Sequence, residues 1–132
     1  MDTSPEYISM CRKAKELQEM WEPSTSDYCV SSVSGCNRIL VVIADLPNKF
    51  LVVAYPYATY DNTDHLLRQN IIWLPRIDQL ISNWTNPYDA IESMLHGWPV
   101  EYDETESLEI NGIKRVMKLK YNKSWNGEDW IE

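Results

Sequence analysis

Residues 107–121, SLEINGIKRVMKLKY, admit two incompatible readings, and the choice between them sets how many strands and helices the chain contains. Asn111-Gly112 is the strongest short signal for a two-residue β-hairpin, because a type I′ turn needs positive φ at both central positions and these residue types adopt it at least cost. Ile113, Met117, Leu119 and Tyr121 roughly alternate with polar residues, as a half-buried strand would. A helix fits too: Leu108, Ile113, Val116, Met117 and Tyr121 make one face, Thr105 is placed to cap it, and Gly112 would cost about 1 kcal/mol relative to Ala. Local chemistry favours the hairpin slightly.

Upstream, NIIWLPRIDQLISNW (residues 70–84) reads as a strand-to-helix corner. Ile71, Ile72 and Trp73 form a short strand, and Pro75 starts a helix whose face is Ile77, Leu80, Ile81 and Trp84. Asn86-Pro87 begins another helix with Tyr88, Ile91 and Leu95 inward, ending at Gly97 before Pro99. Residues 57–70, YATYDNTDHLLRQN, are polar and turn-rich, an exposed connection with a helical turn at Asp64 to Arg68.

Three runs rich in strand formers precede it: Tyr28 to Val33, Arg38 to Ile43 and Phe50 to Tyr55. Gly35 and Asp45-Leu46-Pro47-Asn48 mark turns short enough for an antiparallel meander. LVVI and FLVVA are continuous rather than alternating, which predicts strands covered on both faces. At the N-terminus Ser4 can cap, Pro5 suits the first helical turn and Glu6 complements its positive end. Tyr7, Met10, Cys11, Ala14, Leu17 and Trp21 then recur at helical spacing until Pro23-Ser24-Thr25-Ser26 stops the element. The tail SWNGEDWI reads as a turn bounded by Trp125 and Trp130, both able to pack back onto the body.

A chain of 132 residues with 44% hydrophobic and 24% charged residues suits one folded domain spanning residues 1–132. The net charge of −8 opposes general affinity for DNA or RNA, which requires Lys and Arg to displace counterions from phosphates. It permits a basic partner, including a protein that itself grips nucleic acid. No stretch reaches the roughly 18 apolar residues of a membrane span, and MDTSPEYISMCRKAK lacks the order of a secretion signal. Cys11, Cys29 and Cys36 are odd in number and widely spaced, as reduced cytosolic thiols would be. Asn83-Trp84-Thr85 and Asn122-Lys123-Ser124 match the glycosylation pattern, which carries no meaning without secretion.

IWLPR followed by DQL (residues 72–80), SPEYISMCRKAKELQ (residues 4–18) and WNGEDW (residues 125–130) resemble a family of small uncharacterised bacteriophage and prophage proteins. The likeness touches both ends and the middle, while residues 28–60 carry no motif of that group. It implies a phage-encoded protein in the bacterial host cytoplasm, and it implies no activity. In the group, the region equivalent to residues 105–121 reads as a helix without Asn-Gly. The resemblance therefore implies a helix here, and the departure at Asn111-Gly112 keeps the hairpin open.

Asp61, Asp64, His65 and Arg68 lie close together in a polar segment, and carboxylates with a histidine can hold a divalent metal or activate water. Their spacing matches no metal pattern, and a solvated loop with a helix cap is the plainer reading. Cys29 and Cys36 with His96 or His65 could form a zinc site or a Cys-His dyad, but zinc pairs usually sit closer in sequence. No phosphate loop, nucleophile elbow or dinucleotide fingerprint is present, and four Gly leave little material for one. Lys114, Arg115, Lys118, Lys120 and Lys123, beside Tyr121 and Trp125, could grip a single strand by stacking. As the C-terminal half of a helix they would be an ordinary solvated face. The acidic residues Glu101, Asp103, Glu104, Glu106 and Glu109 suit a helix N-terminus or a surface that meets a basic protein.

Six Trp and eight Tyr against one Phe suit a half-wet core rim or a contact surface. The candidate contact residues are Trp73, Arg76, Trp98, Trp125 and Trp130. The resulting expectation is an α+β domain: an antiparallel sheet of three to four strands, an N-terminal helix and two to three later helices packed on it. No cofactor or metal is expected. The expected function is a non-enzymatic accessory protein that binds a host or phage protein; the alternative is a small metal-dependent nucleic-acid-processing enzyme using Asp61, Asp64 and His65.

Overall fold

Ser4 and Pro5 start the first helix as their chemistry requires, with Ser4 Oγ accepting the Tyr7 N–H at 3.2 Å. The computed structural model describes residues 1–33, 36–55, 63–81 and 103–132. The helical stretch is split at Ala14 (φ −84°, ψ 69°) into α1 (Pro5–Lys13) and α2 (Lys15–Met20). Despite the break, Tyr7, Met10, Cys11, Ala14, Leu17 and Trp21 are all buried. The anticipated face survives because the kink leaves Ala14 itself turned inward.

Among the described residues five strands, rather than the expected three to four, form one antiparallel sheet: β1 (Tyr28–Ser31), β2 (Leu40–Leu46), β3 (Lys49–Ala54), β4 (Thr63–Leu66) and β5 (Ile71–Leu74), in the order β4-β3-β2-β1-β5. The meander β1-β2-β3 follows from the short connections. Between β2 and β3, Leu46 pairs with Lys49 around Pro47-Asn48, and Asn48 at φ 67° supplies the positive φ that a type II turn places after its proline. Two expectations are corrected. Thr63–Leu66 is a strand rather than an exposed connection or helical turn, because Val52 and Leu51 of β3 offer it a register, Val52 opposite Asp64 and Leu51 opposite His65. The expected cover on both faces fails for β2, where Val41 and Ile43 are only half-buried beside buried Leu40 and Val42, and holds at the centre of β3, where the adjacent Val52 and Val53 are both buried.

Among the described residues β5 lies at the sheet edge beside β1, and an edge strand exposes unpaired amides and carbonyls. Gln18 of α2 closes it: its Oε1 accepts the Trp73 N–H at 2.7 Å and its Nε2 donates to the Trp73 carbonyl at 3.0 Å. One side-chain amide thus stands in for a missing strand. Tyr7 Oη adds a bond to the Pro75 carbonyl at 2.6 Å, fixing α1 over the end of β5.

Among the described residues two later α-helices follow, α3 (Ile77–Ile81) and α4 (Leu108–Tyr121). The ambiguous stretch is a helix. Ser107, not Thr105, caps it, accepting from Ile110 N–H at 3.1 Å, and Asn122 ends it in the left-handed region at φ 55°. The hairpin dipeptide serves tertiary ends instead. Asn111 is buried, accepts the Asp103 N–H at 2.9 Å and donates to the Asp103 and Ser107 carbonyls, each at 2.9 Å. Gly112 lets α3 approach: a Cβ there would lie 3.0 Å from Ile77 Cδ1 and 3.1 Å from Leu80 Cδ1.

The tail forms a two-stranded ribbon, β6 (Ser124–Trp125) and β7 (Trp130–Ile131), packed back through Trp130, whose Nε1 donates to the Met10 carbonyl at 2.9 Å. One apolar cluster unites α1, α2, the inner sheet face, α3, α4 and Trp130. The anticipated helix from Asn86-Pro87 to Gly97, with Trp84, and the turn at Gly35 lie outside the described residues. Among those residues no helix is long and apolar enough to cross a membrane.

Candidate functional site

Pro23 ends α2, and the chain must turn before β1 begins; Asp27 organises that turn. Its Oδ2 reaches back to accept the Ser24 N–H at 2.9 Å, while Ser26 is held at φ 77°, a region that residues other than Gly, Asn and Asp seldom enter. The Ser26 N–H bonds to the Val42 carbonyl at 2.7 Å and the Val42 N–H to the Asp27 carbonyl at 2.9 Å, so the loop is zipped onto β2.

The facing wall is the β5-to-α3 corner. Arg76 Nη1 donates to the Ser26 carbonyl at 2.8 Å, its Nε pairs with Asp78 at 3.2 Å, and Asp27 Oδ1 stands 3.9 Å from the guanidinium. Gln79 Oε1 accepts the Arg76 N–H at 2.9 Å, and Gln79 Nε2 donates to Asp27 Oδ1 at 2.6 Å. The indoles of Trp21 and Trp73 are stacked, 5.9 Å apart and 5° from parallel, with Arg68 4.8 Å from the Trp21 ring centroid. Arg68 is committed there, donating to the Gln18 and Trp21 carbonyls at the end of α2, and burial lowers its pKa. Trp21 Nε1 donates to Asp27 Oδ2 at 2.9 Å. Trp73 Nε1 is buried and has no acceptor among the described residues.

These walls enclose a cleft of about 360 Å³ lined by Met20, Trp21, Glu22, Asp27, Trp73 and Arg76, among others. Its size is near the lower end for small-molecule sites. The buried Asp27 carboxylate already accepts three hydrogen bonds and faces a guanidinium, so it acts as a joint between the two walls. The cleft can bind and orient, and three of the roughly four acceptor sites of its buried acid are already engaged.

Of the contact residues anticipated from the sequence, the structure brings Trp73 and Arg76 together here, with Trp73 as an inner wall that is only 6% exposed. Trp130 is inside the core and Trp125 is half-buried, their rings 5.2 Å apart at the ribbon. Trp98 lies outside the described residues. Asp64 and His65 are exposed neighbours on the edge strand β4, and successive strand residues point to opposite faces, so they do not converge; Asp61 lies outside the described residues. Among the described residues no three His, Cys, Asp or Glu side chains cluster closely enough to share a metal.

The zinc and Cys-His arrangements come apart as well. Cys29 in β1 and His65 in β4 are three strand spacings from each other, about 14 Å, while Cys36 is exposed and His96 lies outside the described residues. Burial pushes the Cys29 thiol up to about 12, the reverse of what a nucleophile needs. The basic cluster is dispersed: Arg115 is buried, its pKa lowered by desolvation, Lys114 pairs with Glu106 at 2.8 Å, and Lys123 pairs with Glu16. Of the acidic group, Glu101 lies outside the described residues, and Asp103 is held below its usual pKa by the Thr105 hydroxyl and N–H.

Trp21, Asp27 and Gln79 were not legible as site residues. One signal existed: a buried indole N–H needs an acceptor, and Asp27 is the next acid along the chain after the solvent-facing Glu22. Comparison with protein-family models, curated proteins and solved structures finds no match to this chain.

Proposed function

We propose that the protein acts by non-covalent recognition of another protein, with the Trp21–Asp27–Arg76 cleft as the centre of the contact surface. The observation that carries this reading is the engagement of Asp27: the one deeply buried carboxylate of the cleft is spent on joining its walls, which fixes their shape and takes that group out of use as a base. Preorganised walls built on a strand end and a helix start reduce the ordering cost of association. The motifs at residues 72–80 and 125–130 would make this a phage- or prophage-encoded accessory protein in the cytoplasm of a bacterial host. The metal-dependent alternative has less behind it, because Asp64 and His65 face apart.

The test is affinity purification from bacterial host cells with the unmodified chain and with Thr25→Trp, an exposed substitution beside the cleft that would fill it. A protein recovered in near-stoichiometric amount with the first and lost with the second is the expected result. Identical recovery from both, or nothing above background, overturns the reading.

A further inference from the structure

Charge and hydrogen-bond donors together describe what the cleft would accept. Its lining brings Glu22 and Asp27 against Arg76, and Arg76 is further neutralised by Asp78 at 3.2 Å: three carboxylates for one guanidinium, within a chain of net charge −8. Including Arg68, which sits behind Trp21 and is engaged with main-chain carbonyls, the surroundings stay net negative. Asp27 is sealed beneath the loop, so the reachable negative charge is Glu22, which is exposed at the mouth. A cation is therefore favoured over an anion even though an arginine is present.

Charge alone would admit any amine, but the donors narrow the choice. Trp73 is only 6% exposed and its Nε1–H has no acceptor among the described residues; Arg76 bonds to those residues through Nε and Nη1, and its side chain is 33% exposed. An occupant that carries acceptor atoms as well as positive charge can pair with Arg76, while the Trp73 Nε1–H, buried in the wall, reports on the cleft. A polyamine has the charge without the acceptors, and a free carboxylate has the acceptors with the wrong charge.

We propose that this cleft receives a Lys or Arg side chain from an extended basic segment of a partner protein, its cationic head at Glu22 and a neighbouring peptide carbonyl turned toward Arg76. The proposal rests on the protein-binding reading above and adds the chemistry of the bound segment. Met20, 40% exposed at the rim, supplies a flexible thioether against the aliphatic stem.

The experiment follows the six indole N–H resonances of the ¹⁵N-labelled full chain during titration with blocked tripeptides Ala-Arg-Ala, Ala-Lys-Ala and Ala-Glu-Ala and with spermine. The expected result is a saturable shift of the Trp73 indole resonance with the two basic peptides. Glu22→Gln, at an exposed position, should weaken their binding about two- to fivefold, the worth of one surface ion pair. Added salt should weaken it further. An equal response to the acidic peptide, no response to either basic one, or spermine reproducing the Trp73 shift each overturns the proposal. If the peptides fail while the partner is still lost from Thr25→Trp, the protein-binding reading stands and only the basic-segment assignment falls.

Discussion

Replacing Gly112 by Ala is the most direct probe of how α3 and α4 meet. In an open helix that change is stabilising by about 1 kcal/mol, because Gly has the more costly backbone entropy. Here the added methyl would sit 3.0 Å from Ile77 Cδ1, 3.1 Å from Leu80 Cδ1 and 3.7 Å from Leu80 Cβ. Both close contacts demand a shift of a few tenths of an ångström. Ile77 is half-buried and can turn aside, but Leu80 is fully enclosed and can retreat only by pushing its own neighbours. Overpacking of this kind costs about 1–3 kcal/mol. Set against the propensity gain, Gly112→Ala should lose about 1 kcal/mol, a fall in Tm of about 4 °C for a chain this size. Urea unfolding followed by tryptophan fluorescence and far-UV circular dichroism measures it. In the Leu80→Ala background the sign should reverse, because the methyl then enters vacated space. A gain of about 1 kcal/mol in the otherwise unmodified chain would refute the close approach.

The other predictions follow from single contacts. Asn111→Ala should cost about 2 kcal/mol by stranding the Asp103 N–H and two carbonyls, and should speed amide exchange at Asp103. Gln18→Glu turns an acceptor toward the Cys11 and Trp73 carbonyls, where Nε2 now donates, so it should lose about 3 kcal/mol and loosen the β5 edge, read as faster exchange at Trp73. Burial opposes ionisation of Asp2, but its bonds from Ser107 and Ser4 prevail and hold the carboxyl below its usual 3.8. The bond from Lys123 likewise keeps Glu16 below its usual 4.5. Both contribute stability above those unfolded-state values that is lost as pH falls through the lower folded ones, so Asp2→Asn and Glu16→Gln should flatten the acid limb of Tm against pH. Lys123, raised above its usual 10.5 by the same pair, contributes below that pH and loses its share as pH rises through the folded value, a loss Glu16→Gln should also remove. Finally, alkylation of the folded protein should label exposed Cys36 first and leave Cys11 and Cys29 intact until unfolding; equal labelling rates by mass spectrometry would contradict the burial of those two thiols.

Elements with complete local signals were legible in the sequence. Ser4-Pro5-Glu6 and the spacing from Tyr7 to Trp21 mark the N-terminal helical stretch, and the turn at Pro47-Asn48 joins two neighbouring strands. Thr63–Leu66 was not legible, because TDHL has no alternation of its own and becomes a strand only where β3 presents hydrogen-bonding groups. Gln18 reads as a polar helix residue, and nothing near it in the chain shows that β5 will arrive with an open edge 55 residues later. The cleft is hidden for the same reason: Asp27 and Gln79 are 52 residues apart and meet only after the sheet has formed.

From its residues alone the chain specifies the mixed α and β content, the antiparallel meander and the inward faces of its helices, since periodicity, caps and turn φ values act within a few residues of one another. Asn111-Gly112 marks the boundary of that kind of knowledge. The dipeptide's local preference is a hairpin, worth little more than the helical cost of one glycine, and it is overruled when Asn111 fastens residues 103–107 and Gly112 admits α3. Burial of Ile110, Ile113, Val116 and Met117 in one core outweighs a turn preference, because buried area sums over a whole helix face while turn chemistry acts at two residues.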